Sequence, residues 1–247
     1  MDIINLTGIN DVGYKLKEEY KSIEEKIEEM REERKERKRI DVCAREGKID
    51  YLKYLHENGC EWDRRACVGA AITGQIECLR YLHENGCKWD EQTCACAAGS
   101  GHIECLKYAY ENGCEWDKWT CIHAAEGGHI ECLRYAHKNR CEWDDLACWD
   151  AAERGQIECL RYAHENGCEW NERTCEFAAR EGQIECLRYA HENGCEWDEW
   201  TCAGAAKYGH IECLRYAYEN GCPYFDMYMG ELSWECKEYY ETHMRKK

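Results

Sequence analysis

The chain carries a single proline and two phenylalanines in 247 residues. One proline argues against an all-β sandwich or barrel, whose many turns normally use several. Cations are scarce beside anions: 33 Lys and Arg stand against 50 Asp and Glu, a formal charge of -17. That deficit argues against DNA, RNA and anionic membranes as main partners, since binding them needs clustered Lys and Arg. No apolar run approaches the length that spans a bilayer. The opening residues lack a basic stretch followed by an apolar one, so no export signal is read there. Asn5-Leu6-Thr7 has the form of a glycosylation acceptor and is read as chance without such a signal. The expectation is a cytoplasmic protein in a reducing compartment, where cysteines stay thiols. Against these absences stand 22 Cys, 17 Tyr and 10 Trp. So many aromatics, in a 44% apolar chain, exclude disorder and suffice for a core.

Self-similarity organises the chain. Trp62, Trp89, Trp116, Trp143, Trp170 and Trp197 recur every 27 residues, and Tyr224 continues the column. Gly59, Gly86, Gly113, Gly167, Gly194 and Gly221 do the same, with Arg140 breaking their column. A period in this range indicates a solenoid or array. Each unit holds two helical signals. The first helix starts from a residue able to cap it: Asp63, Asp90, Asp117, Asp144, Asn171 or Asp198. Cys175, Ala178 and Ala179 show its buried face, and Gly182 ends it in a left-handed cap. The second helix carries Ile184, Leu187 and Ala190 or His191 on one stripe and closes at Asn193-Gly194. Glu185 and Arg188, three apart, are placed to pair on its exposed side. Helices of about ten residues are not stable alone in water. Stability must come from stacking units along one dimension. The pattern predicts seven helix pairs over residues 40–222, the first degenerate, with Ile40 and Tyr51 at Cys positions.

The unit resembles the ankyrin repeat. The likeness lies in the Ala-Ala pair followed by Gly-His-Ile-Glu-Cys-Leu-Arg-Tyr-Ala-x-Glu-Asn-Gly-Cys at 205–222. The family period is about 33 residues, so about six are missing. They are missing where ankyrin repeats carry a β-hairpin finger, and the usual Thr-Pro-Leu-His start has lost its Pro. The resemblance implies an all-α solenoid of helix pairs without the finger, Trp folded over the exposed core edge, and protein binding on the concave face of the first helices. Short Cys- and Trp-containing units of this kind resemble those of giant DNA viruses and some algae and protists. A viral source would place the protein in host cytoplasm or virion.

Three segments follow: 1–39, a charged helical stretch; 40–222, the array; and 223–247, a C-terminal helical cap. Leu16, Tyr20, Ile23, Ile27 and Met30 follow a heptad seam, read either as a cap on the first unit or as a short coiled coil that would make a dimer. Met227, Leu232, Trp234 and Tyr239 are the candidate packing residues of the other cap.

The cysteines fall into three columns, leaving Cys43, Cys96 and Cys236 outside. The leading reading is core filling, since free Cys behaves as a small hydrophobe. A disulfide framework and a metal site are the alternatives. Three Cys per unit leave one unpaired locally, and no Cys-x-x-Cys pair of the zinc type occurs. The His column, His56, His83, His137, His164 and His191, gives way to Tyr110 and Tyr218, so it is read as packed histidine and not as a ligand set. No phosphate-binding Gly loop, nucleophile elbow or His-Glu-x-x-His pair is present. The expectation is a non-catalytic protein with no metal and no cofactor.

Comparison of the units with one another points to a binding stripe. Core columns repeat while a set of first-helix positions varies, and their spacing puts them on one face. The candidates are Arg65; Trp119, Ile122 and His123; Leu146, Trp149 and Asp150; Arg173, Phe177 and Arg180; and Trp200, Lys207 and Tyr208. Trp, Tyr and Arg are the residues that dominate protein interfaces. The expected function is a protein-interaction scaffold that presents this stripe to a basic or amphipathic protein partner. A self-associating structural component and a thiol- or metal-binding protein are the alternatives.

Overall fold

The computed structural model describes residues 39–224 and 232–244. The heptad seam from Leu16 to Met30, and Met227, lie outside the described residues. Among the described residues there is no strand. Residues 39–46 (α1) and Ile49–Glu57 (α2) form the first pair. The next pairs are Arg64–Ile72 (α3) with Ile76–Glu84 (α4), Glu91–Gly99 (α5) with Ile103–Glu111 (α6), and Lys118–Glu126 (α7) with Ile130–Lys138 (α8). Asp145–Glu153 (α9) pairs with Ile157–Glu165 (α10), Glu172–Arg180 (α11) with Ile184–Glu192 (α12), and Glu199–Tyr208 (α13) with Ile211–Glu219 (α14). First helices stack on first helices and second on second, α3 through α13 and α2 through α14. Trp234–Tyr239 (α15) packs on α14. Leu232, Tyr239, Tyr240 and Met244 are buried there, whereas Trp234 is 74% exposed and does not join them.

Local chemistry sets each helix end. Asp63, Asp117, Asp144, Asn171 and Asp198 accept from the amide two residues on, satisfying an otherwise unpaired donor of the first turn. Asp90 departs from this expectation: its carboxylate accepts from Arg64 Nη1 at 2.6 Å instead. The left-handed residue after each first helix is glycine, as Gly74 illustrates. At Gly74, φ is +72°, and an added Cβ would lie 2.5 Å from Nδ1 of His102 in the next unit. Second helices close on the Asn side chain, as where Asn139 Nδ2 donates to Tyr135 O at 2.8 Å.

The core is a column of Ala pairs, Leu and Cys. All 22 cysteines are free thiols, and every one is buried except Cys96, which is half-buried. They do more than fill space. From the second unit on, the turn cysteine donates back to the carbonyl of the residue capping its own first helix, as from Cys141 Sγ to Asp117 O at 3.1 Å. The thiol thus ties the two ends of the helix pair together. Hydrogen bonding to the turn cysteine, with burial next, pushes first-helix thiols such as Cys121 far above the usual thiol range. Burial pushes Cys78, Cys105 and Cys132 up to about 11, and Cys159, Cys186 and Cys213 up to about 12.

The edge left bare by the missing finger is covered by rings. Trp143 stacks on His137 of the preceding unit, with centroids 4.0 Å apart, and meets Tyr162 of its own unit edge-on at 6.2 Å. His137 Nδ1 and the Tyr162 hydroxyl share a 3.0 Å hydrogen bond, and the Arg134 guanidinium covers the Tyr162 ring at 4.8 Å. Units led by His56, His83, His164 and His191 repeat the hydrogen bond to Tyr. Where Tyr110 replaces His, Tyr135 donates to Glu111 instead. The second-helix cations therefore face the next unit's Tyr, as Arg188 faces Tyr216 at 5.1 Å, and the expected Glu185–Arg188 pair is not formed. Lys107 and Glu104 do pair in that way, at 3.4 Å.

Candidate interaction face

The aromatic rings divide into two sets by their surroundings. Rings of the Trp62-to-Trp197 column are partly buried and packed on the core. Those of the first-helix face are held on short helices whose inner side is Cys and Ala, so their outer side carries what varies between units. Trp119 is 43% exposed, Trp200 55% and Tyr208 54%. Trp119 is fixed at the start of α7: its amide donates to Asp117 Oδ1, and its ring lies 5.7 Å from both His123 and Lys118 Nζ. Lys118 in turn pairs with Asp144 of the next unit at 2.6 Å.

Farther along, the predicted residues join into a ladder over three helices. Arg173 covers the Trp149 ring at 5.6 Å, and Trp149 packs on Phe177 at 4.7 Å. Arg180 lies between Phe177, at 4.8 Å, and Tyr208, at 5.5 Å. Guanidinium groups on ring faces gain an electrostatic attraction while keeping donors available. Arg180 Nε also donates to Glu181 at 3.1 Å. Lys207 is exposed beside Tyr208. Arg65 is exposed at the other end of the array and held by Asp63 at 2.8 Å. It borders a hollow of about 1000 Å³ at the turn edge of the first units.

Two predicted residues belong to the packing. Ile122 is fully buried, which removes it from the stripe. Its column, one residue after the Cys, turns toward the neighbouring first helix, and Ala95 at the same place on α5 is also buried. The bare Gly99 draws α7 close, since an added Cβ there would lie 2.9 Å from the His123 Cβ. Leu146 is half-buried and packs against the core.

Asp150 sits on α9 with no ion pair among the described residues. Burial first, then the charges of Glu126 and Glu153, push its carboxyl up to about 6. Arg154, one turn on, pairs with Glu126 across to α7 at 3.1 Å. Sequence comparison of the units passed over a groove of about 320 Å³ in this face, over α5. Ile72 on α3 walls one side, His123 and Glu126 on α7 the other, with Cys96 and Gly99 between and Arg154 at the end. The signal was present in the sequence, because α5 carries Ala95, Cys96 and Gly99 at the face positions where α7 carries Ile122, His123 and Glu126. Among the described residues, no group of three or more His, Cys, Asp or Glu is arranged to hold a metal, and no helix is long and apolar enough to cross a membrane.

Residues 94–174 match the family model of ankyrin repeats, in three copies. No curated protein matches the chain. Among solved structures, the ankyrin repeat domain of human ASB11 superposes with a TM-score of 0.55 at 20% identity, over 64% of this chain and 84% of that one. At that identity the likeness concerns the fold. The 27-residue unit, the matched copies and the stacked helix pairs agree: residues 94–174 carry ankyrin repeats, and the array has the fold of an ankyrin repeat domain.

Proposed function

We propose that the protein is a non-catalytic interaction scaffold that captures a protein partner on its first-helix face. One observation carries this reading. The rings in the repeating Trp column are committed to joining units, while Trp119, Trp200 and Tyr208 remain about half exposed on one face of a rigid array. Large apolar rings in water, beside a cation-capped ladder, match the composition of interface hot spots. Ankyrin repeats in general serve as protein-binding modules, which agrees with this use of the face. The partner fits as a basic or amphipathic surface, given the chain's formal charge of -17. Replacing Trp119 and Trp200 together by Ala should weaken capture of the cellular partner at least about tenfold, with the helical content intact. Undiminished capture in a quantitative binding assay would overturn the assignment.

Self-association is the second reading. Tyr51 and Tyr54 stack with centroids 6.0 Å apart and stand 44% and 57% exposed near the start of the array, next to Val42. Light scattering over a range of concentrations separates the two: a constant monomer mass removes self-association.

A further inference from the structure

The groove over α5 has a shape and an electrical setting that specify an occupant. At about 320 Å³ it is at the lower end of ligand pockets, roughly 300–1,000 Å³. It therefore suits one large side chain better than a cofactor. Its floor is short because α5 carries Ala95, Cys96 and Gly99 where α7 carries Ile122, His123 and Glu126 and α3 ends in Ile72. Ile72, 39% exposed, and the His123 ring form its walls. The next two positions along the same column are His123, which walls the groove, and Asp150, which lies beyond it near Glu126 and Arg154 of the groove's far end. Glu126, Asp150, Glu153 and Arg154 leave that end two charges negative on balance, and Arg154 is engaged by Glu126.

We infer that this groove seats one bulky apolar side chain of an amphipathic protein segment, and that a Lys or Arg close to it in that segment docks on Asp150 and Glu153. The inference rests on the proposed first-helix interface and adds to it the place and the chemistry of the contact. Charge complementarity selects the occupant, since an acidic segment would meet Glu126, Asp150 and Glu153 together. The cation is attracted by two carboxylates that lack ion pairs among the described residues.

Cys96 provides a reporter inside the groove, because the other 21 cysteines are buried. The test selects random-sequence peptides displayed on phage against the immobilised full chain and then measures the tightest synthetic peptide by fluorescence anisotropy. The selected peptides should share a Leu, Ile, Met or Phe three or four positions from a Lys or Arg. Bound peptide should slow alkylation of Cys96 by N-ethylmaleimide in the native wild-type chain, a readout independent of any variant's folding. Cys96→Phe, which fills the groove, and Asp150→Arg, which reverses its charge, should each weaken the peptide by about tenfold or more. Selection of no peptide, or of peptides lacking that pattern or leaving Cys96 alkylation unchanged, overturns the inference. If such peptides are indifferent to Cys96→Phe and Asp150→Arg but lost on Trp119→Ala with Trp200→Ala, the groove fails and the wider interface stands. Indifference to all four substitutions overturns both.

Discussion

Arg140 stands where the other units have glycine, and it adopts the same left-handed backbone, with φ at 65°. At the equivalent glycines an added Cβ meets nothing within 4 Å. The cost at Arg140 is thus conformational and not steric, and a left-handed L-residue costs roughly 1–2 kcal/mol. Arg140→Gly should raise unfolding stability by about 1 kcal/mol, less than the full strain because glycine is freer when unfolded. Urea denaturation measures it, and an unchanged or lower midpoint would contradict the argument. Thr93, Thr120, Thr174 and Thr201 pose the opposite question. Each is fully buried with a hydroxyl that has no hydrogen-bond partner, and Ala66 and Ala147 hold the same position in two other units. A buried unpaired hydroxyl costs about 1–3 kcal/mol. Thr120→Val keeps the shape and removes that group, so a gain of roughly 1 kcal/mol is expected by the same measurement.

At the scale of the helix, the first-helix face combines packing and charge that pull in different directions. Asp150 of α9 is half-buried among Glu126 and Glu153, with Arg154 offsetting part of their repulsion and Asp144 adding a little. Its folded pKa, about 6, lies above the ordinary 3.8, so the folded chain takes up a proton between those values. Stability linked to this group is therefore full below about pH 4 and lost as pH rises through 6. Asp150→Asn should melt higher than wild type at pH 7.5 and lose that advantage near pH 4, by an amount kept modest by solvent screening. Equal melting temperatures at pH 7.5 would contradict this. The helix ends, the left-handed glycines and the inward Cys–Ala stripe were readable beforehand, since each depends on residues a few positions apart. The Asp90–Arg64 contact and the turning of Arg188 onto Tyr216 were not, because both depend on which neighbour the next unit brings within reach.

For the molecule as a whole, each unit touches mainly the one before and the one after. The His–Trp–Tyr contacts and the Gly–Gln or Gly–His contacts all bridge adjacent units. An array of this kind has nearly additive stability. Removing residues 144–170, one full period, joins Trp143 to Asn171 and restores the same junction. The shortened chain should fold cooperatively, with one helix pair less by circular dichroism and a lower melting temperature. Loss of the cooperative transition would show that the units are not interchangeable.

The number of units, the helix pairs, the missing finger and the core role of the cysteines all follow from a local pattern repeated every 27 residues. Periodicity carries that information because each unit solves the same packing problem. The stripe of variable positions was legible for the same reason, by contrast with what repeats. Three-dimensional packing settled what periodicity cannot express. It buried Ile122, let α7 approach α5 at the bare Gly99, joined Trp149, Phe177 and Tyr208 into a ladder with Arg173 and Arg180, and opened a groove where α5 is bare. Whether a varying position faces water or its neighbour depends on the size of the residue in the next unit, 27 positions away, and that relation exists only once the units are stacked.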